Sequence, residues 1–360
     1  MSERPVGFAI VGCGVIAPWH ARAIADLPEA RLVTVVDDVA ELAAKRGAEF
    51  GVDHTSDLDA ALAHPDVDVV NVCVPSGRHA EIGVRAAAAG KHVVVEKPID
   101  VTLEAADRLI DACRTAGVQL TVISQHRYDP GVRRVRELIE SGRLGRLVLG
   151  DAIIKWYRTQ QYYDSGAWRG TWALDGGGCL MNQGVHYVDL LQWLMGPVES
   201  VFARCETAAH EIEVEDIAVA VLRFSSGAVG VLEGSTAVYP GLPERLEISG
   251  TGGTVIVEAG KLKVCQLKDE LGETKAYGTK LRDGAVPDDG DSGSADPTAI
   301  SHYGHREQLA DLIRVIRGGG QVMLSGEEGR KPLELILAVY ESARAGREVR
   351  LPLTTAPAAR

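Results

Sequence analysis

Ala9-Ile10-Val11-Gly12-Cys13-Gly14-Val15-Ile16-Ala17-Pro18-Trp19-His20-Ala21 is the stretch whose reading decides the fold. An apolar run, VGFAIVG (6–12), enters it and an amphipathic run, PWHARAIADL (18–27), leaves it, so its glycines fall where a strand gives way to a helix. Gly12, Gly14 and Ala17 then spell GxGxxA. Gly12 permits the tight turn, Gly14 lets a pyrophosphate approach the backbone, and the small Ala17 lets helix pack on strand. Val15 and Ile16 lead into the helix, whose N-terminal amides favour phosphate. The expected ligand is a dinucleotide.

Downstream, short β-branched runs alternate with helical spacing: RLVTVVD (31–37), VDVVNVCVP (67–75), KHVVVEKP (91–98) and LTVISQ (120–125), separated by segments such as VAELAAKRGAEF, HAEIGVRAAAAG and LEAADRLIDACRTAG. Continuous apolar runs imply strands buried on both faces, and the alternation predicts an α/β Rossmann domain with a doubly wound parallel sheet over residues 1–125. Asp37 ends the second strand, about twenty residues past Ala17, where a carboxylate accepts hydrogen bonds from the adenosine ribose and repels a 2′-phosphate; a cap for the next helix is the bland alternative. Asp38 follows and no Arg or Lys comes at once, which favours NAD over NADP. Pro75, Ser76 and His79 fall beyond the third strand end, where a dinucleotide lies; a simple helix-start role accounts equally well for His79.

After the helical PGVRRVRELIESGRLG the pattern changes to longer strands: RLVLGDAIIKWYR, VESVFARCET, IAVAVLRF, AVGVLEGSTAV, RLEISGTG and GTVIVEAG. FSSGA and GTGGT supply turn chemistry between antiparallel neighbours, so residues 126–360 are expected to form an α+β domain with a large, mainly antiparallel open sheet. The acidic, Gly/Ser/Pro-rich stretch at 283–297 reads as a loop without a core of its own. Two amphipathic helices end the chain, HREQLADLIRVIRGG and LELILAVYESARAG, and these are candidates to pack back on the first domain.

A chain of 360 residues exceeds what a single core usually serves, in keeping with two domains. The net charge of −12 repels nucleic acid and anionic membranes. Six cysteines lie far apart without CxxC or CxH spacing, which predicts neither a metal site nor a disulfide framework and suits a reducing cytoplasm. No secretory leader pattern and no apolar run of membrane-spanning length is present, so neither export nor a membrane partner is expected.

Two segments carry candidate chemistry. Glu96-Lys97-Pro98 ends the fourth strand beside the expected nicotinamide position; a strand-end lysine taken alone is usually just solvated, but after a dinucleotide fingerprint the Lys97 ammonium would steady a developing alkoxide. DGGGCLMNQGVHYVDLLQWLMG (175–196) reads as three glycines followed by a helix from about residue 179 to 195. On such a helix Asn182 and His186 are four apart and share a face, with Asp189 close by. A histidine there is suited to taking and returning a proton near neutrality; a buried histidine bonded to a carbonyl is the bland alternative.

Together, AIVGCGVIAPWHA, VCVP-x-x-x-H, VVVEKPI, WRGTW, the GGGCLMNQGVHYVDLLQWLMG segment and GRKPLELILAVYESARAGREVRLP resemble the glucose-fructose oxidoreductase, inositol dehydrogenase and rhizopine-catabolism family, Gfo/Idh/MocA, over nearly the whole chain. The resemblance implies NAD-dependent hydride transfer with a secondary hydroxyl of a sugar, sugar derivative or cyclitol, a cis peptide before Pro98, and a homo-oligomer, dimer or tetramer. It puts the catalytic set on Lys97, position 182 and His186. Position 182 departs from the pattern: Asn replaces the common Asp and cannot carry a proton. The NQGVHYxDLLQW wording is similar to that of nucleotide-sugar 3-dehydrogenases. Glu96, Lys97, Gln125, Trp168 and Arg169 are further candidates at the cofactor, while Lys97, Arg127, Tyr157, Tyr163, Asn182 and His186, joined by Arg158, are candidates at the substrate. His302 and His305 suit either the cleft or a helix cap. The rival readings are an NAD-using glycoside hydrolase of the same fold and a non-catalytic dinucleotide-binding sensor.

Overall fold

The computed structural model describes residues 4–271 and 301–353; the acidic stretch at 283–297 lies outside them. The chain opens with β1 (Val6–Val11), α1 (Ala17–Ala25), β2 (Ala30–Val36), α2 (Ala40–Phe50), β3 (Asp53–Thr55), α3 (Leu58–Ala63) and β4 (Val69–Val72). There follow α4 (His79–Ala88), β5 (His92–Val95), α5 (Leu103–Ala116), β6 (Leu120–Val122), α6 (Pro130–Glu140), β7 (Leu147–Lys155), α7 (Gln160–Asp164) and α8 (Val185–Met195). Strands β8 (Val198–Glu206), β9 (Ile217–Phe224), β10 (Val229–Ser235), β11 (Arg245–Gly250), β12 (Gly253–Glu258) and β13 (Lys261–Leu267) come next. The helices α9 (Lys268–Leu271), α10 (Tyr303–Gly318) and α11 (Gly326–Ala345) and the strand β14 (Val349–Arg350) complete the described chain.

Two compact units emerge. The first comprises Met1–Gln125, Ala173–Gly176 and Ser301–Leu333. Its six strands are parallel in the order β3-β2-β1-β4-β5-β6, with the order reversing between β1 and β4. That is the doubly wound arrangement expected from the alternating pattern, and its switch point lies where β1 turns into α1. Phe8, Ile10, Ile24, Val35, Val69 and Val94 form one core cluster, into which α10 inserts Leu309, Leu312 and Ile313. Each such side chain stabilises by about 1.5–3 kcal/mol when fully buried. Within the stretch read as the second domain, 126–360, residues 173–176 and 301–333 group with the first unit, the latter holding the first of the two helices expected to pack back on it.

The second unit comprises His126–Trp172, Gly177–Ile300 and Glu334–Arg360. Its eight-stranded sheet runs β13-β12-β11-β7-β10-β9-β8-β14 and is antiparallel except between β7 and β10. Alternation is strict in β9, where Ala218, Ala220, Leu222 and Phe224 are buried while Val219, Val221 and Arg223 face outward. α8 is buried along nearly its whole length and packs against β7 and β11. The helix expected from about residue 179 exists, but Cys179–Gly184 is wound as a π turn and α-geometry begins only at Val185. A π turn carries more residues per turn, so the simple four-apart argument for Asn182 and His186 sharing a face does not carry over unchanged.

Arg127, a candidate at the substrate, is 2% exposed. Its Nε and Nη2 donate to Asp189 of α8 at 2.8 and 2.6 Å, and its guanidinium stacks 5.2 Å from the Trp193 ring. A bidentate pair of this kind tolerates removal of both partners better than removal of one. Arg127→Ala is expected to lower stability by about 3–5 kcal/mol by stranding the Asp189 carboxylate, and Arg127→Met with Asp189→Leu to recover most of that loss, as read from urea unfolding midpoints.

Candidate active site

In the first unit the β1–α1 turn has the form that a dinucleotide requires. Gly12 has φ of 101°, and a Cβ there would stand 2.4 Å from the Cys73 carbonyl oxygen. A Cβ on Gly14 would meet nothing within 4 Å, so the loop stays open to an approaching group. Ile16 precedes α1 with no side-chain cap, and Val15 beside it is 59% exposed. Ala17 is fully buried, as close helix–strand packing demands.

Asp37 is held for its task by the backbone: Oδ2 accepts from the Cys13 N–H at 2.7 Å and Oδ1 from the Val39 N–H at 2.9 Å. Each carboxylate oxygen retains a second acceptor site, which suits ribose hydroxyls. Arg46 of α2 braces the same turn by donating to the Cys13 carbonyl at 3.2 Å. Arg78, far from Asp38 in sequence, pairs with it at 3.0 Å. Open turn, uncapped helix start and fixed carboxylate together fit NAD.

Pro75 precedes a short 3-10 turn that begins at the buried Ser76. His79 is 1% exposed and stands between two carbonyls, with Nδ1 2.8 Å from Pro98 O and Nε2 2.9 Å from Val74 O. It ties the two strand ends together, and burial lowers its pKa against the pull of both carbonyls. Lys97 follows β5 with a cis peptide to Pro98. Glu96, expected at the cofactor, is 6% exposed: Oε1 bonds His20 Nε2 at 2.9 Å and lies 3.5 Å from His305 Nε2, while Oε2 accepts from the Lys97 N–H at 3.2 Å. Burial alone would raise this carboxyl; the bonds from His20 and His305 overcome it and hold the group well below the usual carboxylate range. Asn71 steadies His20 from behind at 2.8 Å. Gln125 is buried, with its Oε1 lacking a hydrogen-bond partner among the described residues. His305 lies inside α10 and not at a cap, whereas His302 precedes the helix and bonds Asp26 at 2.7 Å.

In the second unit Asn182 sits on the π turn, partly exposed, and His186 is the second residue of α8, at 9% exposure. The His126 ring meets His186 edge-on at 5.0 Å, and His126 Nδ1 bonds Asp129 at 2.7 Å. Arg158 is buried between the rings of Trp156 and Tyr162, at 4.9 and 5.5 Å, and donates to the Tyr157 carbonyl. Arg169 stacks on Tyr162 and Trp168 at 4.4 and 4.6 Å and donates to the Tyr162 hydroxyl, which also accepts from Gln183 at 3.1 Å. Tyr163 is buried with its hydroxyl 2.7 Å from that of Thr236, and Tyr157 meets Tyr239 edge-on. Trp168, Arg169, Tyr162 and Arg158 thus form one cationic and aromatic cluster tied to the residue after Asn182. Sequence reasoning missed His20 and Glu215, whose partners lie tens of positions away, and Tyr162, which meets Arg158 and Arg169 close by in sequence.

Residues 6–124 match the oxidoreductase family described as an NAD-binding Rossmann fold, and residues 132–256 match the GFO/IDH/MocA C-terminal domain. WlbA dehydrogenase from Bordetella pertussis, solved with NADH and UDP-GlcNAcA, is 36% identical with a TM-score of 0.86, covering 98% of this chain and 99% of that one. The chain belongs to the Gfo/Idh/MocA family. Other members it is similar to include the myo-inositol 2-dehydrogenase of Thermotoga maritima, 27% identical over 95% of this chain and 97% of that protein. The levoglucosan dehydrogenase of Pseudarthrobacter phenanthrenivorans is 27% identical over 93% and 95% respectively. This Gfo/Idh/MocA chain is an NAD-dependent dehydrogenase acting on CH–OH groups. Among the described residues no helix is long and apolar enough to cross a membrane.

For this Gfo/Idh/MocA chain the acidic pair Asp37-Asp38 bears on cofactor choice. Asp37→Ala removes the ribose acceptor and the repulsion of a 2′-phosphate. The ratio of NAD to NADP affinity should fall about tenfold or more, on the scale of one lost charged hydrogen bond, as read by fluorescence titration with each reduced cofactor.

Proposed function

We propose that the protein oxidises a secondary hydroxyl on a sugar carrying an anionic group, such as a sugar acid or a nucleotide-linked sugar, in the cytoplasm. NAD supplies the hydride acceptor when bound. The Lys97 ammonium stabilises charge growing on the hydroxyl oxygen, and the neutral His186 imidazole takes the hydroxyl proton. Asn182 has no proton to give at neutral pH beyond its amide hydrogens, so its work is to orient by hydrogen bonding. A reading in which a carboxylate at position 182 shuttles the proton is not available to this chain.

The observation that carries the anionic preference is the Arg158–Tyr162–Arg169–Trp168 cluster beside Gln183. Guanidinium forks bind carboxylate or phosphate bidentately, and flat rings suit the apolar faces of pyranoses. Burial lowers the Arg158 pKa, which marks a desolvated cation that gains from meeting an anion. The similarity to a dehydrogenase solved with UDP-GlcNAcA points the same way.

A homo-oligomer, dimer or tetramer, is part of the proposal. Phe202, Val219, Val221, Val229 and Val231 are each at least 36% exposed on neighbouring strands of the second unit's sheet, with Val221 opposite both Phe202 and Val231. An apolar face of that kind calls for cover, and a second copy supplies a matching one. Val221→Lys should shift the protein toward monomer in light scattering; an unchanged mass would place the interface elsewhere.

The test of function follows absorbance of the reduced nicotinamide while the protein is mixed with NAD and free sugars, inositols, sugar acids or UDP-sugars. Reduction confined to the anionic sugars is expected. If sugar is released without NADH accumulating, the glycoside-cleaving alternative replaces the dehydrogenase. Lys97→Ala should lower kcat by about 10²–10³ and leave the Kd for NAD within about twofold, whereas equal loss of both would make Lys97 a cofactor anchor.

A further inference from the structure

A carboxyl group is buried directly under the first turn of the helix that carries Asn182 and His186. It belongs to Glu215, which is 3% exposed and lies on the segment before β9. Its Oε2 accepts from the Gly178 N–H at 2.8 Å; its Oε1 accepts from the Leu180 N–H at 3.0 Å and from the Tyr340 hydroxyl of α11 at 2.8 Å. The Glu215 backbone takes part as well, because its carbonyl accepts from the Cys179 N–H at 3.0 Å. Three successive amides, at 178, 179 and 180, are therefore bound by one residue.

The approach leaves no room for a side chain on the other strand of chain: a Cβ on Gly178 would lie 1.7 Å from the Glu215 carbonyl oxygen. Gly178, read in the sequence only as part of a glycine run, is thus the partner of Glu215. The turn that these bonds hold is the π turn Cys179–Gly184, which contains Asn182 and ends one residue before α8 begins. π turns within helices recur at functional sites, and this one has no side-chain cap of its own.

We propose that Glu215 is a positioning residue for the dehydrogenase reaction, its carboxylate pinning the π turn so that Asn182 and His186 are held in the geometry that turnover needs. The inference rests on the functional reading given above for Asn182 and His186. Protonation would convert one accepting oxygen into a hydroxyl and release one of its donors. Burial pushes the carboxyl up to about 7, against the opposing pull of the Leu180 amide, the Tyr340 hydroxyl and the Gly178 amide. The titratable neighbours are Cys179, Cys205 and Tyr340, and burial raises each of them, so they stay neutral where Glu215 ionises. Asp216 turns away to the amides of Ala208 and Ala209 and to His210. The carboxylate thus holds all its donors above about pH 7 and gives up one of them as pH falls through that value. Stability runs in the opposite sense: a group whose folded pKa is raised holds its proton where the unfolded chain has released it, so stability falls as pH rises from the ordinary value of 4.5 to about 7 and is level above that.

The test compares wild type, Glu215→Gln and Tyr340→Phe. Glutamine keeps the size and one acceptor but cannot accept from the Gly178 amide through its NH₂ group. The expected result at pH 8 is a ten- to hundredfold fall in kcat for Glu215→Gln with unchanged NAD affinity. On the acid limb, log kcat should fall with slope approaching two in wild type, where both His186 and Glu215 must be deprotonated, and with slope one in the variant. Tyr340→Phe, which deletes one donor, should move the break to higher pH while leaving the slope at two. Wild-type kcat and an unchanged acid limb in Glu215→Gln would overturn the proposal.

Amide hydrogen exchange by mass spectrometry supplies a readout that needs no substrate. Peptides covering 176–190 should exchange faster in Glu215→Gln, with peptides of the first sheet unchanged; equal exchange in wild type and variant also overturns the proposal. If wild type reduces NAD with no sugar tried, the functional reading fails while the exchange result still decides whether Glu215 holds the turn.

Discussion

Both helices that bear the chemistry begin where main chain meets main chain with no space for a side chain between. In the first unit Gly12 lies against the Cys73 carbonyl, and in the second Gly178 lies against the carbonyl of Glu215. Each contact places the start of a helix, and with it a set of amides that no helical carbonyl can satisfy. The two units resolve the same problem differently. At α1 the amides are left to a phosphate, whereas at the π turn before α8 the chain supplies its own anion. One helix start is built to receive a ligand, the other to be held still.

The two buried glutamates show how much the partner decides. Glu96 and Glu215 are both removed from water, and burial alone would raise both. Glu96 faces two imidazoles, which can carry positive charge, and its carboxyl is held well below the ordinary range. Glu215 faces amides, a phenol and thiols, none of which becomes a cation, and its carboxyl rises to about 7. Glu96 thus holds its charge to lower pH than an ordinary carboxylate, while Glu215 changes state near neutrality.

Much of this was legible in the sequence because it depends on local spacing. The strand–glycine–helix passage at 6–25, the acid at 37 and the lysine at 97 each sit where a repeating βαβ unit must put them. The large sheet of the second unit was equally legible from alternation and turn residues. What escaped is non-local. Asp189 and Arg127 are 62 positions apart, and nothing in either neighbourhood announces that the two pair. The π turn was unreadable because CLMNQG is compatible with α-geometry; a carboxylate 35 residues further on accompanies it. The first unit's use of 173–176 and 301–333 has the same origin, since periodicity marks a helix but not the sheet on which it packs.

The placement of α10 has a consequence for how the chain is made. Leu309, Leu312 and Ile313 share a core cluster with Phe8, Ile10 and Ile24, and Gln308 donates to Thr121 and to the Val122 carbonyl at the far edge of the same sheet. During synthesis the first 125 residues emerge with that apolar face bare, and it stays bare while nearly two hundred more are added. Domains that are contiguous in sequence can close as they leave the ribosome, N-terminal part first. This one cannot. Its nucleotide-binding half reaches full packing only once residues 301–333 have been made, about 175 positions after its sixth strand.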